Sequence, residues 1–366
     1  MRLFLCGDVM TGRGIDQILP HPAAPRLYEP LVCDAREYVT LAEDVNGRID
    51  RPVAYDYIWG DALDVLERTR PDARIVNLET AVTRSEDAWP DKGINYRMDP
   101  ANLPCLTAAG IDCCTLANNH VLDWGYDGLA ETLASLHGAG IRTAGAGENE
   151  IAAAVPAVLE TPGPGRVLVF AGGDGSSGIP EVWVARSGRA GVNRLHAIND
   201  VEAERIVAGI AAIRRPRDVV VFSVHWGPNW GYEVPDAFRR FGQRLIDSGV
   251  VDIVCGHSSH HPKGMEVYRK RLILYGSGDL LNDYEGIKGY DAYRSDLALM
   301  YFADCDASTG ELLALTLQPV RRRRLRLEHA SHEAARWLAA TMNQASSEFG
   351  THTAVQADGS LDVRWK

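Results

Sequence analysis

Short apolar runs, each closed by a polar or glycine-rich turn, recur along this chain. Leu3-Phe4-Leu5-Cys6, Ala73-Arg74-Ile75-Val76, Cys113-Cys114-Thr115-Leu116, Val167-Leu168-Val169-Phe170, Val219-Val220-Val221-Phe222 and Ile253-Val254-Cys255 read as buried strands. Helix-period stretches lie between several of them. Apolar residues at 129, 133 and 136 predict a helix over Asp127–Ala139, and those at 238, 241, 245 and 246 predict one over Pro235–Ser248. Strands alternating with helices predict an α/β protein. The stretch Arg271–Leu327 is richer in strand signals and closer to a β-meander, and Ser331–Phe349 has the pattern of an amphipathic helix. Pro20–Trp59 carries few regular signals and is rich in Pro, Tyr and Asp, so a structureless functional loop or lid is expected there. There is no internal repeat.

Composition narrows the function classes. The 366 residues are 46% hydrophobic and 24% charged, with a net charge of -11. An acidic chain of this kind is a poor binder of nucleic acid or anionic membrane, because phosphate contacts need clustered Lys and Arg. The run Arg321-Arg322-Arg323-Arg324-Leu325-Arg326 is the exception, and reads as a solvated strand face. Seven scattered cysteines without a CxxC pair fit a reducing compartment. The N-terminal stretch is too short for a signal core or a membrane span, so a cytoplasmic protein without a membrane partner is expected.

The chemistry collects where the apolar runs end. Run one closes in Gly7-Asp8, run two in Asn77-Leu78-Glu79, run three in Asn118-Asn119-His120. The fifth closes in His225-Trp226-Gly227 and the sixth in Gly256-His257-Ser258-Ser259-His260-His261. Ligands of open α/β sheets bind outside the carboxyl ends of strands. Any one of these residues alone is ordinary turn or core chemistry. Five strand ends that all carry carboxylate, amide or imidazole groups indicate a divalent metal such as Mn, Fe or Zn, with one ion or two.

The motifs GDVM at 7–10, NLET at 77–80, ANNH and LDWG within 117–125, HWG at 225–227 and GHSSH at 256–260 resemble the CapA family. That family is named for capsule poly-γ-glutamate synthesis and has a calcineurin-like metallophosphoesterase fold. The resemblance spans residues 1 to about 283. It implies a four-layer α/β/β/α sandwich over residues 1–328, with an insertion at 20–59 and a helical extension at 329–366. It also implies Asp8, Glu79, Asn119, His225, His257 and His260 as ligands of one or two divalent ions (Mn, Fe, Zn or Ca), with Asn77 in or beside that shell. His120 would be the acid or base, oriented by Asp123. Phosphoesterases of this fold open with Asp-x-His, whereas position 10 here is Met10. His261, which precedes Pro262, is expected outside the ligand set.

Three functions follow. The first is phosphoester hydrolysis. The second is peptide chemistry, with Cα epimerisation of a peptide's C-terminal residue, as in a lasso-peptide epimerase of related architecture, the specific expectation. There, bases on opposite faces (His120 with Asp279 or His260) would exchange the proton. The third is an assembly role in polymer synthesis. For a peptide substrate, Trp226 and Trp230 would line the pocket and Arg294 would pair with a carboxylate. The segment Gly172–Gly178 matches no phosphate-loop pattern.

Overall fold

The apolar runs do become strands, arranged in two large sheets in this computed structural model, which describes residues 1–163 and 165–366. The larger sheet has its main path in the order Thr351–Val355, Leu361–Trp365, Leu312–Arg323, Leu297–Cys305, Arg2–Val9, Ala73–Leu78, Cys113–Thr115, Arg142–Ala144. From Arg2–Val9 outward to Arg142–Ala144 the pairing is parallel, and Leu297–Cys305 pairs antiparallel with Arg2–Val9. The second sheet runs Met265–Tyr268, Arg271–Leu274, Ile253–His257, Val219–His225, Arg166–Gly173, Ala157–Glu160, and its central strands are parallel. The protein is thus a mixed α/β structure with several sheets and helices.

Side-chain alternation explains why the second sheet reads as unbroken apolar runs. Val167, Val169, Val219, Val221, Ile253 and Leu272 join the core that contains the first sheet. Their neighbours Leu168, Phe170, Val220, Phe222, Val254 and Ile273 pack instead with Ile206, Ile210, Phe241 and Leu245 of the helices Asp200–Ala211 and Asp236–Asp247. Each face needs apolar residues, so no polar position interrupts the strand. The helices expected near 127–139 and 235–248 form as Gly125–Gly138 and Asp236–Asp247.

Three expectations need correction. Pro20–Trp59 is not structureless, because Arg36–Asn46 is a helix that buries Tyr38, Val39 and Ala42 on one side. Its irregular surroundings hid a single short amphipathic face. The segment after residue 329 is helical only over His332–Ala345, apart from a short 3-10 turn. Thr351–Val355 and Leu361–Trp365 then form a hairpin that pairs with Leu312–Arg323 and extends the larger sheet. Two short alternating strands leave a weaker signal than a long helix. The basic run is not uniformly solvated. Arg322 is 2% exposed, and its guanidinium donates to the carbonyls of Asp279, Leu280, Ser295 and Leu297. Strand alternation turns it inward while Arg321 and Arg323 stay at the surface side.

All seven cysteines are free, and all but Cys33 are buried. No helix among the described residues is long and apolar enough to cross a membrane.

Arg322→Met removes the donor from the carbonyls of Asp279, Leu280, Ser295 and Leu297 and should lower stability by about 3 kcal/mol, whereas Arg321→Met should cost less than about 1 kcal/mol. Urea unfolding of both variants checks this. Equal costs would remove the structural role assigned to Arg322.

Candidate active site

Parallel register levels the key residues. Asp8 stands opposite Asn77 on one side and Asp279 on the other, and His225 stands opposite His257 in the second sheet. Gly7 permits the close approach of Asp8 to the Asp279 segment. A Cβ at Gly7 would lie 1.5 Å from the carbonyl oxygen of Gly278, which accepts the Asp8 N–H at 2.9 Å.

Asp8 is wholly buried. Its Oδ1 accepts from Asn77 Nδ2 at 2.8 Å and lies 3.1 Å from His257 Nδ1. Its Oδ2 accepts the backbone N–H of Ser258 at 3.2 Å. Ser258 holds a φ of +86°, a left-handed conformation uncommon for a residue with a side chain. Its Oγ donates to the carbonyl of Gly227 at 2.8 Å, which braces that turn. Burial opposes the charge of Asp8, but the hydrogen bond and charge of His257 hold its carboxyl well below the ordinary range.

Glu79 has no comparable support. Its Oε2 is buried with no hydrogen-bond partner, and burial plus the charge of Asp8 push its pKa well above the ordinary value. His225 lies nearby, with Nε2 3.9 Å from Glu79 Oε1 and 3.0 Å from Asn119 Oδ1. Its Nδ1 is buried and unpartnered. Burial pushes the His225 pKa down to about 3, so the ring is neutral near pH 7. Asp8, Glu79 and His225 offer three donor atoms within 4.8 Å of one another. Two facing carboxylates and a neutral imidazole are a donor set suited to a divalent cation.

A second unit sits against the first. His120 Nδ1 lies 2.7 Å from Asp123 Oδ2, and Nε2 lies 3.8 Å from Glu79 Oε1. Lys92 Nζ is 2.7 Å from Asp123 Oδ1 and 3.2 Å from His120 Nδ1. The backbone N–H of Tyr96 donates to Asp123 Oδ2 at 2.7 Å. The short contact to the carboxylate assigns the proton of a neutral His120 to Nδ1 and leaves Nε2 free toward Glu79. Burial pushes the His120 pKa down to about 4, and Lys92 adds to that against the pull of Asp123. The ring is therefore neutral near pH 7, with its Nε2 lone pair unprotonated.

The remaining expected residues separate into groups. Asn119 is beside His225 and only partly buried. Asn77 is turned to its neighbours: besides its N–H to Asp8, its Oδ1 accepts from Thr115 and Asn118. It supports Asp8 from behind rather than offering an oxygen as a ligand. His260 has both ring nitrogens engaged, Nδ1 with Asp279 at 3.0 and 3.1 Å and Nε2 with Asn229 Nδ2 at 2.9 Å. Asp279 in turn accepts from Asn282 at 2.7 Å, so it is not a free base.

Trp226 faces away from the site, stacked on Phe238 at 4.6 Å, with Nε1 donating to the carbonyl of Tyr275. It follows His225, and successive residues at a strand end point to opposite faces. Trp230 does lie at the site, 5.4 Å from the His260 ring and stacked on Tyr290 at 4.0 Å. Arg294 forms a two-point pair with Asp296. His261 is buried between Tyr232 and Tyr293.

Sequence reading missed Lys92, Arg13, Tyr96 and Tyr284. Lys92 carried one signal: it is the first lysine in an arginine-rich chain, and the next is Lys263. Arg13 donates to Glu29 and Asp283, with its guanidinium over the rings of Tyr38 and Tyr96. Tyr96 meets His120 edge-on at 4.6 Å, and Tyr284 meets His260 at 5.3 Å.

A family model described as bacterial capsule synthesis protein PGA_cap matches residues 2–284. A protein of Mycobacterium tuberculosis H37Rv named "Probable polyglutamine synthesis accessory protein" is 46% identical, covering 99% of this chain and 95% of that protein. The PGA biosynthesis protein CapA of Bacillus subtilis strain 168 is 22% identical over 81% of this chain and 66% of that protein. The capsule biosynthesis protein CapA of Bacillus anthracis is 22% identical over 87% and 68%.

The strained pair of carboxylates sets a pH dependence. The folded pKa of Glu79 is above its ordinary 4.5, so its contribution to stability is present below that pH and lost as pH rises. With chelator present, the wild type should lose more stability between about pH 5 and about pH 8 than Glu79→Gln, which cannot ionise. Parallel pH curves for the two proteins in urea unfolding would refute the repulsion between Glu79 and Asp8.

Proposed function

The chain belongs to the bacterial capsule synthesis protein family, and from that premise we propose that it is a metal-dependent hydrolase acting on the glutamyl or glutaminyl backbone of a polymer during its synthesis. We read its two sheets and flanking helices as the α/β/β/α layering of a metallophosphoesterase-like fold. The observation that supports the reading most is the juxtaposition of a neutral, Asp123-oriented His120 with the carboxylate pair Asp8 and Glu79.

In this reading Asp8, Glu79 and His225 hold a divalent ion, with His257 and Asn119 beside them. The buried, unpartnered Glu79 Oε2 fits such an occupant, and His225 turns Nε2 toward Glu79. A bound ion would supply a Lewis acid that polarises the bond to be cut. The protein's own groups do the rest. Asp123 holds His120 in one tautomer, and Lys92 balances the charge of Asp123. His120 Nε2 takes a proton from the attacking water and returns it to the leaving group as the scissile bond breaks. Asn77 and the Ser258 N–H fix the orientation of Asp8. Met10 is fully buried and thioether-bearing, a poor partner for a hard cation, which favours one ion over two.

Epimerisation needs a second base facing the first. Asp279 and His260 are engaged with each other, with Asn282 and with Asn229. Hydrolysis, which needs a single acid/base group such as His120 beside the ion site, is the better-supported chemistry.

The test is to incubate Mn²⁺-loaded protein with γ-linked glutamate oligomers, glutamine oligomers and p-nitrophenyl phosphate, and to follow products by chromatography. Cleavage of an oligomer is expected, with kcat lowered about 10²- to 10⁴-fold in His120→Asn at unchanged metal content. Cleavage of the phosphate ester alone would make this a phosphoesterase. No cleavage by metal-loaded protein would end the hydrolase reading.

A further inference from the structure

We propose that the cleft behind Tyr284 binds a carboxylate-bearing chain and serves as the polymer-binding subsite of this active site. The identity of the polymer rests on the function proposed above, but the charge preference rests on the cleft itself. The cleft measures about 360 Å³ and lies between the end of the helix Arg36–Asn46 and the loop that follows Asp279–Leu281. It shares a wall with the site. Tyr284 lines it and meets the His260 ring at 5.3 Å, and Asn282 lines it while donating to Asp279 at 2.7 Å.

Its charge runs against that of the molecule. Arg294 and Arg321 both pair with one carboxylate, Asp296, at 2.9 and 3.1 Å. Lys288 is exposed and has no ion-pair partner among the described residues. Arg322 forms the floor; carbonyls hold its guanidinium, and no carboxylate among the described residues lies within ion-pair distance. Of the wall's acids, Glu285 is turned to Asn46 and to the backbone N–H groups of Arg324 and Leu325. Lys288, Arg294, Arg321 and Arg322 therefore outnumber Glu285, Asp291 and Asp296 by four to three in a chain of net charge -11. Lys288, with no ion pair among the described residues, and Arg321, paired to Asp296 through Nε, are the cations left to meet a further carboxylate, an attraction that a neutral amide side chain cannot return. The cleft thus suits a polymer of free carboxylates over one of amides.

Fluorescence anisotropy with a fluorescein-labelled γ-linked glutamate oligomer, at low salt and with Mn²⁺, tests this against a glutamine oligomer of equal length. The charge-reversed Lys288→Glu/Arg321→Glu should bind the glutamate oligomer at least about tenfold more weakly. Lys288→Glu alone, at an exposed side chain with no ion pair to break, should shift it in the same direction. Arg240→Glu, exposed on the helix Asp236–Asp247, makes the same charge change elsewhere and should shift it less than about twofold. Equal weakening by Arg240→Glu, no weakening by the cleft variants, or equally tight binding of the glutamine oligomer would each overturn the proposal. Tight, cleft-dependent binding without cleavage by any of these proteins would overturn the hydrolase reading and leave the subsite standing.

Discussion

Asp8 is a carboxylate with no access to water, and the surrounding architecture can be understood as the means of solvating it. A buried charge persists only when hydrogen-bond donors replace the water it has lost. Here those donors come from far apart in the chain: an amide from Asn77, a ring from His257 and a backbone N–H from Ser258. Bringing them together requires the parallel pairing of Arg2–Val9 with Ala73–Leu78, the left-handed turn at Ser258, and a glycine at position 7 thin enough to pass Gly278. Glu79, placed next to this satisfied carboxylate, is left with a partnerless oxygen. Strain of this kind is kept where function needs it.

Two buried guanidinium groups brace the walls. Arg13 ties Glu29 and Tyr38, from the segment between residues 20 and 59, to Asp283. Its ring partner Tyr96 packs against His120, and the hydroxyl of Tyr96 contacts that of Tyr284, which packs against His260. Arg322 holds the backbone of Asp279 and Leu280 from the other side. Arg13 links the segment 20–59 to the chain that follows the strand Asp279–Leu281, and Arg322 reaches from the strand Leu312–Arg323 to that same strand. Each is an expensive device, because a buried cation needs every donor satisfied. The return is a set of site loops fixed relative to one another.

The helix Arg36–Asn46 illustrates the same coupling between a remote segment and the site. On its own it is a short amphipathic helix of marginal stability. Packed through Tyr38 onto Arg13, it lends Val45 and Asn46 at its end to the lining of the cleft that also holds Lys288 and Arg321. The insertion therefore lines the neighbouring cleft and braces Arg13, although none of its residues contacts Asp8 or Glu79.

Local pattern was enough to find the six central apolar strands, the helices Gly125–Gly138 and Asp236–Asp247, and the strand ends that carry Asp8, Glu79, His225 and His257. Apolar runs and their polar closures are properties of neighbouring residues, and strand ends in such sheets converge by geometry. Local pattern could not say what each polar atom faces. Asp8 and His257 are 249 positions apart, as Asn77 and Asp8 are 69 apart. Only the folded sheets decide that Asn77 stands behind Asp8, that His260 is taken by Asp279 and Asn229, and that Lys92 completes the His120–Asp123 pair. Trp226 and Arg322 make the same point: alternation sends one away from the site and the other into the interior. Residue type and spacing determine which chemistry is available. The hydrogen bond, short in range and directional, is settled only when distant segments meet.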